Sequence, residues 1–159
     1  MKLLELVRAE AVVANLTSKD RNGVIRELVA SLARAGAIDE SAVEPIAKSI
    51  IQRERTRGTT GFGKGVAAPH GKIEGLKQIC AAVGRSGVGV DFESLDGQPV
   101  FGVFLLLSPA EQPEEHLRAM DLIFRVLQQE KFRKFLRQSD AAEKIVELLR
   151  EADEKSLSN

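Results

Sequence analysis

The sequence predicts an α/β domain built around one sheet. Two observations carry that prediction. Apolar residues recur at helical spacing near the start of the chain and again beyond Pro113, whereas the middle holds short, almost continuous apolar runs bounded by turn residues. Helices, then strands, then helices describe an α/β arrangement, and runs without polar alternation describe strands covered on both faces. The chain's 159 residues suit one domain and are enough to bury a real core.

The first helix is expected from Ser18-Lys19-Asp20-Arg21, with Ser18 as N-cap. Ile25, Leu28, Val29 and Leu32 form its apolar face, and Gly36 is placed to end it in the left-handed conformation. A second helix is expected from Ser41, where Ser41 and Glu44 have capping-box spacing and Pro45 falls in the first turn. Val43, Ile46, Ala47, Ile50 and Ile51 make its buried stripe, and Gly58 is its stop. Strands are expected over Gln78–Gly84 and Val100–Leu107, with a further short strand at Val88–Phe92 and a turn at Asp96-Gly97. Pro113 suits the first position of a helix running to Leu127. A short helix is expected over Lys131–Leu136, and a last one capped by Ser139 or Asp140, with Ile145, Val146, Leu148 and Leu149 inward. Residues 1–152 read as a single domain, and 153–159 as a polar, frayed tail.

Composition narrows the function. There are 23 basic and 23 acidic residues, which argues against a general nucleic-acid binder. The single cysteine, Cys80, excludes an internal disulfide and reads as a small buried apolar side chain. The opening MKLLELVRAEAVVANL is broken by Glu5, Arg8 and Glu10, so it lacks the apolar core of a signal peptide. No apolar run approaches the roughly 18 residues of a membrane span. The expectation is a soluble, cytoplasmic protein that does not insert into membranes.

The least ordinary stretch is GFGKGVAAPHGK, Gly61 to Lys72. Gly58 to Gly65 nearly spells a P-loop, but Gly65 stands where serine or threonine would hold magnesium, and a helix precedes the loop where a strand is required. A dinucleotide fingerprint fails as well. The glycines alone are compatible with a plain turn. The residues after them favour a site: Pro69 fixes the chain on one side of His70 and Gly71 leaves the other side open. His70 is therefore expected on an exposed loop, within reach of a large partner.

The other histidine, His116, lies one turn into the helix after Pro113, with Met120, Ile123 and Leu127 continuing its face. It reads either as a partly buried helical histidine or as one at the rim of a cleft. Two histidines without H-E-x-x-H or H-x-x-x-H spacing make a poor metal site, so no metal or cofactor is expected. A G-x-S-x-G elbow is absent. The chemistry left for an exposed histidine is nucleophilic, with the neutral imidazole accepting a phosphoryl group. The product needs cationic or N–H donors, and Arg53, Arg55 and Arg57 at the end of the second helix are candidates.

The ordered set RERTRGTTGFGKGVAAPHGK, then Glu115-His116-Leu117 after VFGVFLLLSP, resembles the IIA components of the bacterial phosphotransferase system. The match is to the fructose–mannitol class, and most of all to its nitrogen-regulatory members. The resemblance implies a single mixed β-sheet flanked by helices on both faces. It implies that His70 is phosphorylated by an HPr-like carrier, that His116 binds the phosphoryl oxygens or orients His70, and that Arg53 neutralises developing charge. Partners implied are the HPr-like carrier and either a IIB component or a regulatory target. Dedicated sugar uptake and a non-catalytic regulatory binding module are the alternatives. Ala68 replaces the family's usual aliphatic residue, and the segment after Arg53 is one residue longer than usual, which leaves Arg55 as an alternative to Arg53.

Overall fold

The computed structural model describes residues 1–158, and the side chains of 1–155. Its elements are α1 (Leu3–Leu6), β1 (Val7–Val13), α2 (Arg21–Arg34), α3 (Val43–Arg57), β2 (Val66–Ala67), β3 (His70–Ile73), β4 (Cys80–Val90), β5 (Val100–Pro109), α4 (Pro113–Leu127), α5 (Glu130–Gln138) and α6 (Ala142–Ser158). The sheet has five strands. β4 lies between β1, which is parallel to it, and β5, which is antiparallel. The far side of β5 is shared along its length by β2 and β3, both parallel to it. The sheet is therefore mixed.

Alternation along the central strands assigns the two faces. Ala81, Val83, Phe104 and Leu106 point toward α1, α4, α5 and α6. Cys80, Ala82, Val103, Leu105 and Leu107 point toward α2 and α3. Helices thus cover both faces, which is why VFGVFLLL has no polar position. Cys80 is the small buried side chain expected of it, and burial pushes its thiol up to about 11.

Several local expectations need correction. The cap of α2 is Asp20, whose carboxylate accepts from the Gly23 N–H at 2.8 Å. Ser18 stands too early, and its own N–H donates to Glu27. The Ser41/Glu44 box does not form, because a 3₁₀ turn over Glu40–Ala42 leads into α3 and no side chain caps it. Glu44 instead pairs with Arg26. Val88 to Val90 is no separate strand but the end of β4, continued across a register shift after Arg85. Neither Ser139 nor Asp140 shows a cap on α6: the Ser139 hydroxyl donates to the Phe135 carbonyl and Asp140 pairs with Lys144. Gly36 and Gly58 do end α2 and α3, with φ of 76° and 96°.

The two ends of the chain hold each other. The opening segment forms α1 and β1, which its broken apolar pattern concealed. Residues read as a frayed tail continue α6 as far as Ser158, Asn159 lies outside the described residues, and Asp153 is buried against α1. The Asp153 carboxylate accepts from the Leu3 and Leu4 N–H groups at 2.7 and 3.1 Å, which caps a helix too short to satisfy its own donors. Asp153→Ala should therefore lower stability by about 1–2 kcal/mol, as loss of a cap does. Urea unfolding monitored by circular dichroism reads this as a lower midpoint with an unchanged slope.

Candidate active site

The site begins with a carboxylate that the apolar stripe of α3 delivers to the interior. Ile46, Ala47, Ile50 and Ile51 are buried, and the next position on that face is Glu54, only 2% exposed. Glu54 accepts from the Thr60 N–H at 2.8 Å and from the Thr60 hydroxyl. The neighbouring Thr59 hydroxyl donates to the Phe92 carbonyl at 3.0 Å, which ties the same loop to the far side. Gly61 then passes so close to Ser94 that a Cβ would meet its Oγ at 2.6 Å. The glycine there is required by close approach.

This anchored loop sets the backbone that precedes His70. The Thr60 carbonyl accepts from the Ala68 N–H at 3.2 Å, and the Ala68 carbonyl lies 2.8 Å from His70 Nδ1. A carbonyl only accepts, so Nδ1 carries the proton and the lone pair of neutral His70 is on Nε2. The expectation of a loop position is corrected: His70 opens β3, paired opposite Leu106, and is half-buried. Pro69 uses its carbonyl to accept from the Leu106 N–H, which locks the strand entry.

His116 arrives from the other side of the sheet. Pro113 is the first residue of α4 and His116 completes the first turn. Its side chain is buried, and Nδ1 lies 2.7 Å from the hydroxyl of Ser108, which is fully buried at the end of β5. His116 is the only hydrogen-bond partner of that hydroxyl among the described residues. Were Nδ1–H the donor, the buried hydroxyl hydrogen would go unpaired. Ser108 therefore donates to Nδ1, and His116 carries its proton on Nε2. The two histidines thus hold opposite tautomers, with ring centroids 5.5 Å apart.

Both rings border a cleft of about 580 Å³, together with Arg53, Arg57, Lys72 and Leu117. No carboxylate lines it. Arg53 is fixed by donation to the Gly58 carbonyl at 3.2 Å. Arg55 is exposed and lies outside the cleft. Lys72 and Ser108 were not singled out from the sequence. Lys72 had a signal, since residues two apart on a strand share a face. Ser108 had none, because its role depends on the pairing of β5 with β3.

Burial is the main force that holds both imidazoles neutral. It pulls His70 below its ordinary value of 6.5, and Arg53 and Lys72 pull the same way, while the Ala68 hydrogen bond and Glu54 push back. His116 is pulled to about 4, by burial first and then by His70 and Lys72. Among the described residues no group of three or more histidine, cysteine or carboxylate side chains is placed to hold a metal. No described helix is long and apolar enough to cross a membrane.

Residues 5–152 match the model of the EIIA 2 family of the phosphoenolpyruvate-dependent sugar phosphotransferase system. The chain belongs to this family. Its members are phosphotransfer components. This EIIA chain is 39% identical over 149 residues to a nitrogen regulatory protein of Bradyrhizobium diazoefficiens, covering 94% of the chain and 95% of the relative. It is 33% identical to the fructose-specific EIIABC component of Bacillus subtilis, covering 96% of the chain but only 24% of that longer protein. The crystal structure of nitrogen regulatory IIA-Ntr from Neisseria meningitidis superposes with a TM-score of 0.79 at 29% identity, covering 91% of the chain and 97% of the neighbour. The mixed sheet with helices on both faces is thus the family's fold, as the resemblance implied.

The depressed value of His116 has a signed consequence. Between pH 6.5 and about 4 the unfolded chain binds a proton at His116 that the folded chain refuses. Stability is therefore full above pH 6.5 and falls as pH drops toward 4. Urea midpoints measured across that range should fall, and His116→Asn should flatten the dependence relative to the parent.

Proposed function

We propose that this EIIA protein is a phosphoryl carrier that takes phosphate on His70 Nε2 from the phosphohistidine of an HPr-like protein. The single observation that carries this reading is the Ala68–His70 hydrogen bond. It leaves one ring nitrogen with a lone pair, next to a cleft lined by cations and free of carboxylates. The Nε2 lone pair attacks phosphorus, a new N–P bond forms, and the carrier's N–P bond breaks in line. The carrier's ring, protonated on its other nitrogen, keeps that electron pair and leaves as neutral imidazole, while His70 keeps its Nδ1 proton and becomes the cationic, phosphorylated ring. Catalysis is positioning and charge stabilisation. His116 donates its Nε2–H to a phosphoryl oxygen, while Arg53 and Lys72 meet the negative charge.

The nitrogen-regulatory type is the reading we favour. Its support is the relative from Bradyrhizobium diazoefficiens, matched along 95% of its length. In that role the phosphorylated and free forms of His70 present different charges to a regulatory target. The similarity to the fructose-specific component supports a second reading, in which phosphate passes on to a IIB component. Both readings place the protein in the cytoplasm, where the carrier and its phosphate donor reside.

The test is incubation with phosphoenolpyruvate, enzyme I and an HPr-type carrier, read by intact mass and by acid lability. The parent should gain one acid-labile phosphoryl group, and His70→Ala none. His116→Ala should slow transfer about a hundredfold, the scale of a lost oxyanion donor. Arg53→Ala should slow it far more than Arg55→Ala. An unmodified parent, or a modified His70→Ala protein, would contradict the reading.

A further inference from the structure

A second cleft, larger than the one at the histidines, lies elsewhere. It is a cleft of about 970 Å³ between α5 and the loop that joins α3 to β2. It reaches β5 at Gly102, four residues before Leu106, the partner of His70. At strand rise that is about 13 Å along the sheet from the histidines. The two clefts share no lining residue.

Five cations border this cleft: Lys64, Arg85, Arg133, Lys134 and Arg137. One carboxylate, the exposed Glu130, accompanies them. In a chain of zero formal charge this is a strong local imbalance. Among the described residues none of the five is ion-paired. The arginines are held by neutral groups instead. Arg133 donates to the Leu127 carbonyl and Arg85 to the Arg137 carbonyl, both at 2.9 Å. Their positions are fixed, and Arg85 also attracts the carboxylate of Asp140, which lies outside the cleft lining and pairs with Lys144. Arg133, Lys134 and Arg137 share one face of α5, at spacings of three and four. The opposite face buries Phe132 and Leu136. Gly102 lets the helix approach, since a Cβ there would meet Leu136 at 2.5 Å.

The cleft also has a flat wall. The Arg137 guanidinium lies 3.5 Å from the centre of the Phe101 ring. A guanidinium stacked on one side still offers its other face to a planar ligand. The volume is at the upper end of small-molecule sites, which run to about 1,000 Å³. We propose that this cleft is a second ligand site, which takes a nucleotide: the cations hold its di- or triphosphate and the Arg137–Phe101 stack holds its base. The proposal does not rest on the reading of His70.

The test is calorimetric titration of the full chain with ATP, tripolyphosphate and adenosine. ATP should bind, more weakly as salt rises, and the Lys134→Glu/Arg137→Glu variant should lose about tenfold or more in affinity. Lys134→Glu alone, an exposed change, should show a smaller loss in the same direction. Adenosine should not bind measurably, and tripolyphosphate should bind more weakly than ATP. Urea midpoints of the same variants, read by circular dichroism, should stay close to the parent's, which reports an intact fold independently of His70. No ATP binding at millimolar concentration, binding undiminished in the double variant, or tripolyphosphate binding as tight as ATP would each overturn the nucleotide assignment.

Discussion

The hydrogen bond from His70 Nδ1 to the Ala68 carbonyl is the interaction on which the site depends. It chooses the tautomer, and the tautomer leaves the lone pair on Nε2, the nitrogen that attacks in the proposed transfer. The carbonyl itself is placed from a distance. Glu54 holds Thr60, the Thr60 carbonyl holds the Ala68 N–H, and Ala68 holds the ring. A buried carboxylate at the end of α3 thus orients an imidazole at the start of β3. Glycines let the intervening loop make these contacts without side chains in the way. The sheet supplies the rest. β3 and β5 run side by side, so the end of β5 brings Ser108, and through it His116, to the same edge.

Electrostatically the site balances two demands. A histidine surrounded by cations and buried from water stays neutral and so keeps a lone pair at neutral pH. The same cations are what a phosphoryl group requires once it arrives. In the proposed transfer the positive charge thus helps both before and after, whereas burial helps only by keeping the ring neutral beforehand. No carboxylate lines the cleft itself; Glu54, buried beneath it and bonded to Thr60, pushes the His70 value up only against the larger effect of burial.

Much of this was legible in the sequence, and particular residues explain where it was not. Helices α2 to α5 announce themselves through helical periodicity, because each buries one face, and the two central strands through continuous apolar runs, because they are buried on both. The first thirteen residues did not. Charged residues interrupt them, and they are stabilised by Asp153, a partner some 150 positions away. Caps were misread for a related reason: Ser18 and Ser41 have suitable chemistry, but the chain path gives Asp20 the N-terminus of α2 and gives α3 a 3₁₀ lead-in. The order of arginine, glycine loop and two histidines picks out Arg53, His70 and His116, and all three line one cleft. Their tautomers were not legible, since these are set by Ala68 and by a hydroxyl on another strand. Glu54 stood in plain view as the continuation of the Ile50–Ile51 stripe. Its significance needed the loop folded back onto it.

The most direct measurement of the central claim is a nitrogen-15 spectrum of the histidine rings, taken on the free protein and again after phosphorylation. The structure requires His70 to carry its proton on Nδ1 and His116 on Nε2. Phosphorus should then appear on Nε2 of His70, with its Nδ1 proton retained. A His70 ring protonated on Nε2, or a phosphoryl group on Nδ1, would contradict the account.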